Sequence, residues 1–214
     1  MTIAGVVAVL AALSVLGLAE GVAGRDDLTR LDPSVESAVV ALRDPALTVG
    51  ASVVTFVASE PSLAVLTALL LAWLALRRRA YRVAMLVAAS MAASAATTLA
   101  LKHLMARARP PVSSLLGAPD STYSFPSGHT LSGTVFFGLV AGLTLTQVRS
   151  TAARVAVVAG WLAASAAVGL SRLYLGYHWL TDVLAGWSAG LVILALTAAV
   201  ALVLVRPRTR VVVA

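Results

Sequence analysis

Six apolar stretches, each long enough to cross a lipid bilayer, constrain this chain more than any other feature. A membrane-spanning helix needs roughly 20 mostly apolar residues, and the stretches cover residues 2–23, 57–76, 81–101, 130–147, 154–170 and 182–205. With 60% apolar and 12% charged residues, the chain is too apolar for a single water-soluble core. Helices satisfy their own backbone groups inside lipid. The sequence therefore predicts an all-α polytopic membrane protein with six transmembrane helices, forming one domain over residues 1–214.

The first two apolar regions leave some choices open. The first stretch has a competing interpretation as a secretory signal peptide with a small-residue cleavage site at Val22-Ala23-Gly24, but no basic segment precedes it. The region 47–76 is too long for one span and contains Glu60-Pro61. We therefore place the second span at 57–76, with the preceding part packed beside it.

The polar segment 25–44 separates the first two apolar regions. Val35, Val39 and Leu42 lie there at helical spacing, which predicts a short amphipathic helix in the extracytoplasmic interface. No internal repeat is evident, and the small residues along the spans favour close helix packing in lipid.

The basic residues predict the orientation of the spans. With six spans both termini share one side, and so do nine arginines: Arg77, Arg78, Arg79, Arg82, Arg149, Arg154, Arg206, Arg208 and Arg210. By the positive-inside rule that side is cytoplasmic. The opposite side carries Arg25, Arg30, Arg43, Lys102, Arg107, Arg109 and Arg172. The net charge of +7 is therefore mostly a topology signal, and nucleic acid is excluded as a partner.

Three short segments of the predicted extracytoplasmic side carry the residues suited to chemistry. The first begins at Lys102, the only lysine, and reaches Arg109-Pro110 after six intervening residues. The second is Phe125-Pro126-Ser127-Gly128-His129. The third begins with Ser171-Arg172, continues after five residues with His178 and ends after three more with Asp182. One ammonium and two planar guanidinium groups suit a multiply charged oxyanion such as phosphate. Cysteine is absent, which excludes disulfides and thiolate metal sites.

The second and third segments each suggest a specific role. Ser127 and Gly128 precede an apolar helix, so unpaired N–H groups and the helix dipole offer a seat for an anion. His178 and Asp182 are spaced i, i+4 and so lie on one helix face, where the carboxylate makes the imidazole a better nucleophile or base. His129 is suited to protonate a leaving oxygen.

Each of these signals also has a structural explanation. A lone interfacial arginine is usually a headgroup anchor, and a single interfacial histidine usually has a packing or hydrogen-bonding role. Ser-Gly before a helix is usually a helix cap. Asp182 and His178 could form a purely structural pair. Together, however, they place two histidines, the only lysine and two arginines at helix ends on one side. Polar groups near a membrane are costly and tend to be functional.

In order, spacing and placement, the three segments resemble the signature of the type 2 phosphatidic acid phosphatase superfamily. The resemblance implies that His178 is a nucleophile forming a phosphohistidine, that Asp182 orients it and that His129 is the general acid. It implies that five residues bind the phosphate, namely Lys102, Arg109, Ser127, Gly128 and Arg172, and that neither a metal nor a cofactor is needed. Ala108 stands where many relatives carry proline, and segment 111–124 fits no substrate subgroup.

The expected function is hydrolysis of a lipid phosphate or diphosphate at the extracytoplasmic face of the plasma membrane. Polyprenyl (undecaprenyl or decaprenyl) diphosphate is the first choice, because bacterial wall synthesis requires that step, and phosphatidate or phosphatidylglycerol phosphate is the alternative. A lipid or anion transporter would show inverted symmetry and midplane charges, which are not seen. The vanadate-dependent haloperoxidases are an alternative enzyme class with the same phosphate pocket, but they are soluble proteins, whereas this chain is strongly apolar. His103 is excluded from the chemistry.

Overall fold

The computed structural model describes residues 3–24 and 27–204, and over these residues all regular structure is helical. Eight α-helices follow one another along this part of the chain: α1 (Ile3–Gly24), α2 (Asp32–Ala41), α3 (Pro45–Val57), α4 (Glu60–Ala72, continued by a π-helical turn at Trp73–Arg77), α5 (Tyr81–Met105), α6 (Gly128–Leu145), α7 (Thr151–Tyr174) and α8 (Leu180–Leu204). Six of them, α1 and α4 to α8, are long and apolar enough to span a membrane. The predicted all-α fold with six spans is confirmed.

The second apolar region divides slightly later than the sequence predicted. α3 ends at Val57, and α4 begins only at Glu60, where the Ser59 hydroxyl accepts from the Ser62 N–H at 3.4 Å. Pro61 lies in the first turn of α4, where its missing N–H removes no helical hydrogen bond. The 13-residue α3 packs chiefly against α7, with 2.9 Å between the Thr55 and Ser171 hydroxyls. The expectation that the residues before the second span pack beside that span was therefore wrong.

The segment between the first two spans forms a 3₁₀ turn at Asp27–Leu31 followed by α2. Val35 and Val39 are half-buried, whereas Leu42 is exposed. A short helix therefore lies where the sequence predicted one, while its amphipathic position at the membrane surface stays a prediction. Four arginines used for the topology prediction lie outside the described residues: Arg25, Arg206, Arg208 and Arg210.

Helix α6 lies at the centre of the bundle, in contact with α4, α5, α7 and α8. Its Leu131 and Val135 are fully buried and form a core with Leu74, Val87 and Ile193. The backbone of α8 approaches α6 closely at two glycines, because a Cβ on Gly190 would lie 2.9 Å from the Thr134 side chain and one on Gly186 would lie 2.9 Å from the Ser127 carbonyl oxygen. Small residues permit this approach, as expected for helices packed in lipid.

The outer surface of the bundle is strongly apolar. Leu10 on α1 is 60% exposed and Met85 on α5 is 71% exposed, and large apolar patches of this kind mark a surface that water does not cover. The two ends of the bundle differ in charge. Six arginines cluster where α4 joins α5 and α6 joins α7: Arg77, Arg78, Arg79, Arg82, Arg149 and Arg154. The opposite end carries the loops with the three motif segments.

Candidate active site

Four helix ends meet at the end of the bundle opposite these arginines, since α5 and α7 end there and α6 and α8 begin there. The Ser127 N–H donates to the Asp182 carbonyl at 3.0 Å, which joins the starts of α6 and α8. The chain leaves α5 through Ala106, whose φ of 45° is left-handed, and it turns between α7 and α8 at Gly176 with φ of 78°. A side chain at Gly176 would collide with the Ser114 carbonyl. These turns bring the three motif segments together.

Asp182 is fully buried and surrounded by donors. Its Oδ2 atom accepts from the Trp179 N–H at 3.0 Å and from the Ser124 hydroxyl at 2.5 Å, and its Oδ1 atom accepts from Arg107 at 2.5 Å. The His178 Nδ1 atom lies 3.4 Å from Oδ2. A carboxylate held in this way favours the tautomer of His178 that carries its proton on Nδ1.

The other nitrogen of His178 faces a cation. Nε2 lies 3.4 Å from Nη1 of Arg109, and because a guanidinium only donates, this contact requires an unprotonated Nε2. Both contacts of the ring therefore agree on one tautomer. The Nε2 lone pair is directed towards the basic side of the site, at Arg109.

Burial keeps the imidazole of His178 uncharged. The side chain is almost completely buried, at 3% exposure. Burial, together with the charges of Arg172 and Arg109, lowers its pKa to about 4 against the opposing effect of Asp182. His178 is therefore neutral, and so able to attack, at physiological pH.

Lys102 and Arg109 meet at Thr122, on the loop between α5 and α6. The Lys102 ammonium donates to the Thr122 hydroxyl at 2.5 Å, and Arg109 donates to the Thr122 carbonyl at 2.7 Å and to the Tyr177 carbonyl at 2.8 Å. Asp120 forms an ion pair with Arg109 at 2.6 Å. Burial opposes ionisation of Asp120, but hydrogen bonds from Thr122 and the charges of Arg109 and Lys102 outweigh it and hold the pKa of this carboxyl below its usual range.

Arg172 is the most buried of the three motif cations, at 2% exposure. Its guanidinium stacks on the Tyr177 ring at 3.9 Å, and one Nη donates weakly to the Thr55 hydroxyl at 3.4 Å. Its Nε atom is buried without a hydrogen-bond partner. An unpaired buried donor on a cation is costly, so this geometry is suited to an anion that completes the set of contacts.

The start of α6 leaves its first-turn amides free of a side-chain cap. Ser127 is the N-cap residue, but its hydroxyl accepts from the Thr130 hydroxyl at 2.9 Å instead of capping the helix. A Cβ on Gly128 would lie 3.1 Å from the Thr98 side chain, so the start of α6 packs closely against α5. His129 is half-buried, and the charges acting on it include those of Arg172, His178 and Lys102.

All eight residues proposed from the sequence thus lie around this end of the bundle. His103 is exposed and contacts only the edge of the Tyr123 ring, at 6.0 Å between centroids. Within residues 3–24 and 27–204, no group of three or more His, Asp or Glu side chains is arranged to hold a metal ion. With three cations and a helix N-terminus, the site favours an oxyanion.

Four further residues complete the site and were not assigned a role from the sequence. Ser124 and Arg107 bind Asp182, Asp32 binds Arg107 at 2.6 Å, and Thr122 joins Lys102 to Arg109. Arg107 lies within the first motif segment and Ser124 directly precedes the second, so their positions in the sequence could have indicated a role in the site. Asp32 comes from α2, and no local pattern connects it with the motifs.

The sequence and the fold of this chain are similar to those of known proteins. The sequence profile of the PAP2 superfamily matches residues 83–206, more than half of the 214-residue chain. Phosphatidylglycerophosphatase B of Bacillus subtilis (strain 168) is 35% identical over 96 residues, and the aligned stretch covers 44% of this chain and only 45% of that protein.

Two solved structures share the fold. The crystal structure of the first transmembrane PAP2 type phosphatidylglycerolphosphate phosphatase from Bacillus subtilis has a TM-score of 0.85 at 24% identity, over 95% of this chain and 98% of that one. The structure of Aquifex aeolicus LpxE has a TM-score of 0.61 at 20% identity, over 79% of this chain and 95% of that one. On the profile match, which covers all three motif segments, this chain belongs to the PAP2 superfamily.

Proposed function

We propose that this protein is a membrane lipid phosphatase that works through a phosphohistidine intermediate on His178. One observation carries the proposal: the buried, neutral His178 has Nδ1 at 3.4 Å from Asp182 and Nε2 at 3.4 Å from Arg109. A nucleophile is activated when an adjacent group fixes its tautomer and an oxyanion seat lies on its other side. Lys102, Arg109, Arg172 and the first turn of α6, at Ser127 and Gly128, form that seat.

The reaction proceeds in two steps. The Nε2 lone pair of His178 forms a bond to phosphorus while the bond from phosphorus to the lipid oxygen breaks. This oxygen takes a proton from His129, whose protonated form is favoured by the negative charge of the bound phosphate. Water then attacks phosphorus, gives a proton to His129 and displaces Nε2, which releases inorganic phosphate. The cations neutralise the equatorial oxygens throughout, and this electrostatic stabilisation is the largest contribution expected for phosphoryl transfer.

A groove between α4, α5 and α6 supports a lipid as substrate. It has a volume of about 550 Å³ and is lined mainly by apolar residues of α4 and α5, including Leu63, Leu71 and Met91. Its polar lining includes Lys102, Thr122 and the carboxylate of Glu60. An acyl or prenyl chain lying in this groove would place its phosphate beside Lys102, so the substrate enters sideways from the bilayer.

The relatives change the preferred substrate. Polyprenyl diphosphate was expected because wall synthesis requires its hydrolysis, whereas the curated relative is named a phosphatidylglycerophosphatase. We therefore propose phosphatidylglycerol phosphate first, and polyprenyl diphosphate and phosphatidate as the alternatives. The arginines at the end of the bundle remote from the site support cytoplasmic termini and an extracytoplasmic site in the plasma membrane.

A substrate panel tests the function. Purified protein is mixed with phosphatidylglycerol phosphate, phosphatidate or polyprenyl diphosphate at equal surface density in detergent micelles, with EDTA present, and inorganic phosphate is measured. We expect release from at least one lipid, at a rate that chelation leaves within about twofold, because His178 and not a metal-bound water attacks. Transport of the lipid or of phosphate in proteoliposomes without hydrolysis would contradict the proposal, and loss of activity in EDTA would contradict metal independence.

The pH dependence of kcat/KM follows from the neutral state of His178. Its pKa is lowered from 6.5 to about 4, so protonation disables the nucleophile of the free enzyme only below about pH 4. With respect to this group, kcat/KM is expected to stay level from pH 7 to pH 5 and to fall on further acidification. Initial rates measured between pH 4 and pH 8 check this, and a pKa near the ordinary histidine value of 6.5 for the His178 imidazole in an NMR titration would contradict it.

A further inference from the structure

A network of buried charges connects α2 to His178, the proposed nucleophile. Arg107 donates to Asp32 Oδ2 at 2.6 Å through one Nη and to Asp182 Oδ1 at 2.5 Å through the other. Asp32 is 2% exposed and Asp182 is 0% exposed. The Arg107 guanidinium also lies 5.7 Å from the centre of the Trp179 ring. One arginine is therefore shared between two buried carboxylates. Of these two carboxylates, only that of Asp182 contacts His178.

Asp32 also holds the start of α8. Its Oδ1 atom accepts from the Thr181 N–H at 3.0 Å and its Oδ2 atom from the Thr181 hydroxyl at 2.6 Å, and Arg107 donates to the same hydroxyl at 2.7 Å. A carboxylate on first-turn amides is a stabilising helix cap. Here the cap comes from a different helix, and it fixes the residue directly before Asp182.

We propose that Asp32, acting through Arg107, is a positioning residue that holds Asp182 against His178 and sets the basicity of the nucleophile. This inference rests on the proposed function for its catalytic meaning. Because Asp32 engages one side of the guanidinium, Arg107 gives Asp182 one hydrogen bond, to Oδ1. The other oxygen, Oδ2, remains available to His178 beside its donors Ser124 and the Trp179 N–H. Without Asp32, the guanidinium is free to bind both oxygens of Asp182 and to draw that carboxylate away from the imidazole.

The charges around His178 predict opposite effects for the two partners. Four titratable or charged side chains interact electrostatically with His178: Asp182 from α8, Arg172 from α7, Arg109 from the α5–α6 loop and His129 from α6. Arg107 interacts in the same way with Asp182. Loss of the negative charge in Asp32→Asn leaves Arg107 uncompensated, which lowers the pKa of His178. Loss of the positive charge in Arg107→Met strengthens the field of Asp182, which raises it. A residue with a purely structural role would not produce shifts of opposite sign.

The kinetic test uses the full-length protein with phosphatidylglycerol phosphate in detergent micelles. For Asp32→Asn we expect kcat to fall about tenfold with KM within about twofold, as for partners that orient a reacting group. For Arg107→Met we expect a larger loss, and the double variant should lose no more than Arg107→Met alone, because both act along one path. Additive losses would contradict the shared path.

A control on the same helix and a spectroscopic measurement make the test independent of turnover. Glu36→Gln removes a carboxylate one turn along α2, whereas the ion pairs of Arg107 are with Asp32 and Asp182. One oxygen of Glu36 is buried without a hydrogen-bond partner. Imidazole NMR titration of ¹⁵N-histidine-labelled protein should move the pKa of His178 down in Asp32→Asn, up in Arg107→Met, and by less than half as much in Glu36→Gln.

The outcomes separate the two proposals. Wild-type protein that releases no phosphate from any lipid overturns the proposed function, while the titration still decides the positioning role. Equal behaviour of Asp32→Asn and Glu36→Gln in folded, detergent-solubilised protein overturns the positioning role. If Arg107→Met fails to fold, the comparison of Asp32→Asn with Glu36→Gln decides alone.

Discussion

Replacing His178 with alanine is expected to reduce phosphate release by at least about 10³-fold, the scale seen when a covalent nucleophile is removed. The reason is the position of the Nε2 lone pair of His178, which is unprotonated and lies 3.4 Å from Arg109. The wild-type enzyme, quenched during turnover of ³²P-labelled lipid, should yield an acid-labile, base-stable phosphoprotein that His178→Ala does not form. Steady-state release and quench trapping together measure this effect.

His103→Ala provides the matched control. His103 lies at the end of α5 on the same side of the protein, but it is exposed and contacts Tyr123 outside the site. Its replacement should leave kcat within about twofold, as for surface changes away from a site. If His178→Ala retained near wild-type turnover, or if it still formed the phosphoprotein, the assignment of the nucleophile would be wrong.

Replacing Arg172 with lysine is expected to lower kcat/KM by about 10²-fold, and Arg172→Met by about 10³-fold. Lysine keeps the charge but loses the planar fork, and arginine and lysine are not equivalent where two oxygens are bound together. The unpaired Nε of Arg172 and its stacking on Tyr177 indicate a guanidinium held in place for an anion. Initial rates over a range of lipid surface densities separate the effects on kcat and KM.

Arg154→Lys is the control for Arg172. Arg154 lies on the same helix, α7, near its opposite end, and is exposed. This change should leave kcat/KM within about twofold. Inorganic vanadate, which resembles the pentacoordinate transition state, should also inhibit Arg172→Lys far less than wild type. Equal inhibition of both would show that Arg172 does not bind the transferred group.

The helices and their ends were largely predictable because hydropathy is a local property. A run of about 20 apolar residues must cross the bilayer as a helix whatever its neighbours are, and all six spans are found within a few residues of the predicted bounds. The exception was the region around Glu60. Its boundary depends on the Ser59 cap and on the packing of α3 against α7, and hydropathy does not record either.

The candidate site was predictable to the extent that its residues are close in sequence. His178 and Asp182 are four residues apart, and this spacing indicated their contact, which the structure contains at 3.4 Å. The expected position of both on one helix face was wrong, because α8 begins only at Leu180 and His178 lies in the turn before it. The contact of Asp32 with Thr181 spans 149 residues, and no periodicity links the two. Nothing in the sequence alone therefore indicated that Asp32 differs from other polar residues of the short helix.

The sequence by itself determined the class of protein, the spans and the motif residues, because hydrophobicity and short spacings act within one helix or one turn. Only the tertiary structure decided which atoms face each other: that Nε2 of His178 faces Arg109, that Ser127 leaves the amides of α6 uncapped, and that Arg107 is shared by two aspartates. These contacts arise between helix ends that meet only when the bundle packs. Their energies depend on burial, which is a property of the folded protein and not of any single segment.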